Sequence, residues 1–109
     1  MTSSKASSED LQPITDIDRM IHQPARLIIL AHLYVVESAD FLFLRRQTGL
    51  TWGNLSSHLS KLEAAGYIDI EKEFLDKKPH TMLRLTDKGR AAFREYVQNM
   101  KHLLDHLPD

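Results

Sequence analysis

Apolar residues fall along this chain in blocks whose period changes from helical to two and back. From Pro24 to Val36, Leu27, Ile28, Ile29, Leu30, Leu33, Tyr34, Val35 and Val36 leave almost no polar face, the pattern of a helix surrounded by core. Proline suits the first position of that helix, where its missing N–H costs nothing. Ahead of it, Pro13 and alternating Ile and Asp residues begin a short amphipathic segment, predicted helical from about Thr15 or Asp16. Asp40 can cap a helix over Phe41 to Thr48, and Gly49 can close it. Thr51 is a second N-cap, and Leu55, Leu59 and Leu62 form one stripe of a helix over Trp52 to Ala65 that stops at Gly66. The period then becomes two. Ile68 and Ile70 alternate with Asp69 and Glu71 as in a half-buried strand, and a second strand is predicted from His80 to Leu85. Between them, Leu75 to Pro79 reads as a polar hairpin tip. Thr86 then caps a last helix with Asp87 in its first turn, running to about Leu107. Its positions Phe93, Val97, Met100, Leu104 and Leu107 step by four, three, four and three, a coiled-coil-like seam.

The resulting fold class is mainly α with a small β-hairpin, in the order of a winged helix-turn-helix: helices, strand, wing, strand, helix. In such a domain the helix before the first wing strand enters the major groove, and the wing lies over the neighbouring backbone or minor groove. Local strings sharpen this reading. His22-Gln23-Pro24-Ala25-Arg26-Leu27-Ile28-Ile29-Leu30, Leu50-Thr51-Trp52-Gly53-Asn54-Leu55-Ser56-Ser57-His58-Leu59, and Ser60-Lys61-Leu62-Glu63-Ala64-Ala65-Gly66-Tyr67-Ile68 occur in that order. They are followed by Lys78-Pro79-His80-Thr81 and Leu85-Thr86-Asp87-Lys88-Gly89-Arg90. From Asp18 to Val97 the chain resembles the short winged-helix transcriptional regulators of the MarR and ArsR type. The resemblance implies a small homodimeric DNA-binding regulator. The chain departs from the pattern at Leu42 and Phe43, where polar residues are expected, at Thr48, where an apolar one would serve the core, and at His80, where arginine is more usual.

With 109 residues, the chain has room for one domain. Residues 1–12 read as a Ser-rich disordered leader and 13–109 as the DNA-binding domain with its C-terminal dimerisation helix. The absence of cysteine excludes disulfides and thiolate chemistry and suits a cytoplasmic location. No apolar run approaches the roughly 18 residues of a membrane span. A net charge of −1 taken alone argues against DNA, but it is an average over unlike regions. Residues 41–90 hold nine Lys and Arg against six Asp and Glu, a balance of +3, whereas the remainder holds five against nine, a balance of −4. The surplus is small, so tight binding to DNA would depend on a dimer.

On the helix over Trp52 to Ala65, Asn54, Ser57, His58 and Lys61 recur at i, i+3, i+4 and i+7 on a face about 100° from the leucine stripe. Asn can pair with adenine, Ser and His can donate to bases or phosphates, and Lys can reach guanine or phosphate. Small Ser56, Ser57 and Ser60 permit close approach, and Thr51 stands at the helix start. Arg45, Arg46, Lys77, Lys78 and Arg90 are candidates for phosphate contact. Trp52 either packs across the turn or presents its ring to a thymine methyl. His58 on the reading face would make binding depend on pH.

Dimerisation is assigned to Met100, Leu103, Leu104 and Leu107 of the last helix, joined by Ile14, Ile17 and Ile21. A two-fold dimer implies a palindromic site on double-stranded DNA. His102 and His106 lie four apart with Asp105 adjacent, a spacing that can seat zinc, but two ligands make no site and no metal or cofactor is assigned. No Gly-rich phosphate loop or plausible nucleophile-base pair marks an enzyme. The rival readings are a winged helix that docks a protein through Leu42, Phe43 and the hairpin, and a repressor tuned by a metal or a small-molecule effector.

Overall fold

The computed structural model describes residues 17–109. Among the described residues four helices occur: α1 (Pro24–Val36), α2 (Phe41–Thr48), α3 (Trp52–Ala64) and α4 (Asp87–Asp105). Three antiparallel strands accompany them: β1 (Ser38–Asp40), β2 (Ile68–Leu75) and β3 (Lys78–Leu85), in the order β1-β3-β2. Ile29, Leu30 and Leu33 of α1, Leu44 of α2, Leu55, Leu59 and Leu62 of α3, and Phe93 and Tyr96 of α4 meet over Ile68, Leu83 and Leu85 of the sheet to form one core. The predicted leader and the start of the first amphipathic segment, including Ile14, Thr15 and Asp16, lie outside the described residues.

Four expectations need correction. Residues 17–23 form a turn where helix was predicted. The Asp18 carboxylate accepts from the backbone N–H groups of Met20 (2.8 Å) and Ile21 (3.2 Å), a local bond that competes with helix continuation before Pro24. Helix α1 has the predicted limits, yet it is not surrounded: Ile28, Val35 and Val36 are exposed because its neighbours cover one side only. Strand β1 went unforeseen, since three residues are too few to display an alternation. Its existence depends on pairing Ala39 with Leu83. The hairpin is also longer than the pattern showed. Its turn is the two residues Asp76 and Lys77, with φ of 52° and 64°, the conformation that fits a two-residue hairpin to twisted strands. Neither residue is glycine, so the usual marker was absent.

The caps behave as their residue types require. Asp40 accepts from Phe43 N–H at 2.7 Å, Thr51 from Asn54 N–H at 3.1 Å and Thr86 from Gly89 N–H at 2.9 Å. Gly49 closes α2 with φ 71°. Thr86 also joins sheet to helix: its hydroxyl donates to the Gly66 carbonyl at 2.7 Å, and its N–H donates to the Tyr67 carbonyl at 3.1 Å. Among the described residues no helix is long and apolar enough to cross a membrane.

Candidate nucleic-acid interface

Helix α3 is held from below. Leu55, Leu59 and Leu62 are buried, which turns Asn54, Ser57 and Lys61 to the exposed side. His58 lies between the two faces, half-buried, with Nδ1 3.4 Å from an Arg26 guanidinium nitrogen. Arg26 is itself anchored, donating from Nε to the Met20 carbonyl at 2.7 Å. Burial lowers the His58 pKa, and the positive charges of Arg26 and Lys61 lower it further. Both causes favour the neutral imidazole over the charged one beside the Arg26 guanidinium. Arg26 was not foreseen, because only the tertiary fold brings α1 to this face.

At the start of α3, Trp52 stacks on Phe41 with ring centres 4.8 Å apart, and the Arg45 guanidinium lies 5.3 Å from the indole centre. Of the two alternatives for Trp52 the structure shows the packing across the turn, with the ring still 54% exposed. Arg45 is committed to the ring, and its Nε is buried without a hydrogen-bond partner. Arg46 is exposed beside it, donating from Nε to the Leu42 carbonyl at 3.4 Å. Leu42 and Phe43 remain exposed, and the Thr48 hydroxyl donates to the Leu44 carbonyl at 2.7 Å instead of serving the core.

The wing stands beside α3. A cleft of about 600 Å³ separates them, with Leu59, Ile70 and Leu83 at its floor and Ser56, Ser60, Lys72 and Thr81 among its walls. Glu63 stands on the α3 side of that cleft and puts a negative charge there. Lys77 and Lys78 are exposed at the hairpin end, and Lys72 joins them as a basic residue missed in the sequence. Alternation along β2 marks it, since Lys72 shares a face with Ile68 and Ile70. Arg90 is not among these residues. Its guanidinium sits 4.9 Å from the Tyr34 ring centre and 3.7 Å from Glu37, so it ties α4 to α1.

Residues 25–104 match the family described as winged helix DNA-binding domain. The chain belongs to that family. This winged helix is 35% identical over 89 residues to an uncharacterized protein of Methanocaldococcus jannaschii, spanning 82% of this chain and 97% of the relative. Its backbone is similar to the structure of a transcriptional regulator homologue from Pyrococcus horikoshii OT3, with a TM-score of 0.81, 30% identity, and coverage of 89% of this chain and 95% of that one. It also shares the fold of NadR, solved in complex with 4-hydroxyphenylacetate, with a TM-score of 0.66, 21% identity, and coverage of 96% and 81%. Family and fold point to a DNA-binding regulator.

The residues assigned to dimerisation separate into two groups in this winged helix. Ile21 is fully buried in the protomer's own core, and Ile17 and Met100 pack against that core. Ile21 therefore has no surface to offer a partner, and Met100 little. Leu103 is half-buried, whereas Leu104 is 61% exposed and Leu107 49% exposed. His22 Nδ1 lies 2.9 Å from the Tyr96 hydroxyl and joins the turn before α1 to α4. His102 and His106 face each other at 4.1 Å between ring centres, with His106 Nδ1 2.8 Å from the His102 carbonyl oxygen.

Proposed function

We propose that this winged helix is a homodimeric repressor that reads a palindromic operator in double-stranded DNA. In this reading α3 lies in the major groove, where Asn54, Ser57 and Lys61 meet base edges and phosphates. Thr51 and Ser56 lie close to the backbone, and Lys77, Lys78 and Arg46 neutralise phosphates on either side. His58 meets DNA from the edge of this face, beside Arg26. The observation that carries the reading is the division of α3: three leucines lock one side into the core, and the polar side stands open beside a lysine-tipped hairpin. Leu104 at the end of α4 and Leu107 just beyond it supply the dimer contact, with the half-buried Leu103 beside them, because exposed leucines gain by burial against a second copy. The repressor occupies its operator and excludes other proteins from it.

Selection of bound duplexes from a random pool tests this directly. The expected product is an inverted repeat whose half-sites are about one helical turn apart. Binding of the winner falls with salt, and Lys61→Ala lowers the log–log salt slope by about one. Failure to enrich any duplex at low salt would overturn the proposal.

A second reading is favoured by one feature. Leu42 and Phe43 are exposed, and Val36, Ala39 and Phe43 line a hollow of about 300 Å³ beside them. A protein partner docked there would bind independently of salt and be lost in Phe43→Asp.

A further inference from the structure

We infer that the end of the wing is an apolar wedge for the minor groove, with Phe74 as its leading residue. This rests on the DNA-binding reading above and adds a mode of recognition to it. Phe74 is 76% exposed, and Leu75 beside it is also exposed. Across the hairpin Phe74 pairs with Pro79, and Leu75 pairs with Lys78. Three apolar residues therefore occupy the last two rungs of a hairpin whose end would otherwise be polar.

The direction of Phe74 follows from strand alternation. Ile68, Ile70, Lys72 and Phe74 share one face of β2. Ile68 is in the core, and Ile70 and Lys72 border the cleft that faces Ser56 and Ser60 of α3. Phe74 is the next residue outward on that face, so it projects from the side of the wing that faces α3. The hairpin holds it firmly. Asp76 and Lys77 both take the positive φ of a tight two-residue turn, and Leu75 with Lys78 closes the ladder. Strand β1 reaches no further along β3 than Met82, so the missing N–H of Pro79 leaves no partner unsatisfied there and discourages pairing with another strand edge.

Charge favours DNA as the occupant. Lys72 shares the Phe74 face and Lys77 and Lys78 stand at the turn with Asp76, whereas Glu71 and Glu73 alternate to the opposite face of β2, so the side that carries Phe74 offers lysines to phosphates. Proteins that enter the minor groove insert Phe, Leu or Pro between base steps and kink the duplex, which is the residue set found here. Lysines set the wing on the backbone, and Phe74 parts a base step beneath it.

The test uses the full chain and a duplex enriched from a random pool by the wild-type protein, with 2-aminopurine placed at successive steps flanking each half-site. Wild type and Phe74→Leu should raise 2-aminopurine fluorescence at one step. Phe74→Ala should abolish that rise and weaken binding roughly tenfold, the range measured for lost stacking on a base, with an unchanged salt slope. Lys78→Ala should do the reverse, lowering the slope while the fluorescence rise persists at saturation. The exposure of Phe74 means that the variant keeps its fold, which circular dichroism verifies. Equal affinity and equal fluorescence for Phe74→Ala would overturn the wedge while leaving the DNA-binding reading intact. A change of oligomeric state in Phe74→Ala would also overturn it, by showing that the patch joins copies of the chain. If wild type enriches no duplex, the DNA-binding reading itself fails.

Discussion

Replacing Gly89 with Ala sets two effects of opposite sign against each other. Helix propensity favours Ala over Gly by about 1 kcal/mol inside a helix. At Gly89, however, an added Cβ would lie 2.9 Å from the Tyr67 carbonyl carbon and 3.0 Å from Leu85 Cδ1, and would overlap the Tyr67 carbonyl oxygen. The obstacle is backbone and cannot rotate away. Relief requires moving the first turn of α4 off the sheet, which stretches the Thr86 N–H bond to Tyr67 and the Thr86 hydroxyl bond to Gly66. Overpacking of this kind costs about 1–3 kcal/mol, and each weakened hydrogen bond adds about 1 kcal/mol. After the propensity gain, a net loss of about 2–4 kcal/mol remains, equivalent to a fall of roughly 10–20 °C in Tm for a domain of this size. Gly53→Ala is the matched control. Gly53 is also helical, but a Cβ there meets nothing within 4 Å, so that variant should melt at or above the wild-type temperature. Thermal unfolding followed by circular dichroism separates the two. A Gly89→Ala protein as stable as wild type would refute the reasoning, because it would mean that propensity decides at a site of backbone contact.

The remaining predictions concern the interface and its pH response. The double variant Leu104→Glu with Leu107→Glu should sediment as a monomer with unchanged helix content and bind the operator far more weakly, because these side chains touch little of their own core. Glu63→Gln, which removes a negative charge from the cleft between α3 and the wing, should tighten operator binding and do so most at low salt, as read by fluorescence anisotropy. His58 titrates below the ordinary value of 6.5, so the folded state favours its neutral form. The unfolded chain then takes up the proton first as pH falls. The contribution to stability is therefore present above pH 6.5 and is lost progressively below it. His58→Gln should make the decline of Tm between pH 6.5 and 5 shallower, and an identical decline would refute the role of Arg26 and burial.

Much of this architecture is legible in local chemistry. Thr51, Asp40 and Thr86 mark helix starts because each hydroxyl or carboxylate can satisfy an orphan backbone N–H without help from distant residues. The leucine stripe of α3 reveals its buried face for a similar reason: helical geometry alone relates the three positions. What escaped was set by long-range pairing. Strand β1 is visible only through Leu83, and the two-residue turn is formed by Asp76 and Lys77 under the demand of the two strands it joins. Segment 17–23 carries helical residue types, yet the Asp18 side chain bonds it into a turn.

The same division runs through the candidate site. Asn54, Ser57 and Lys61 could be named from spacing, since residues on one helix face need no tertiary knowledge to be grouped. Spacing could not show that Arg26 would reach His58, that Arg45 would lie on Trp52, or that Arg90 would turn to Tyr34 and Glu37. Nor could the periodicity that joined Ile21 and Met100 to Leu104 and Leu107 distinguish a protomer's own core from a surface left for a partner. A sequence records which side of each element is apolar, because that is a property of neighbours a few residues apart. Which apolar sides cover one another, and which charges remain free, depends on how the elements pack, and only the tertiary structure decided it.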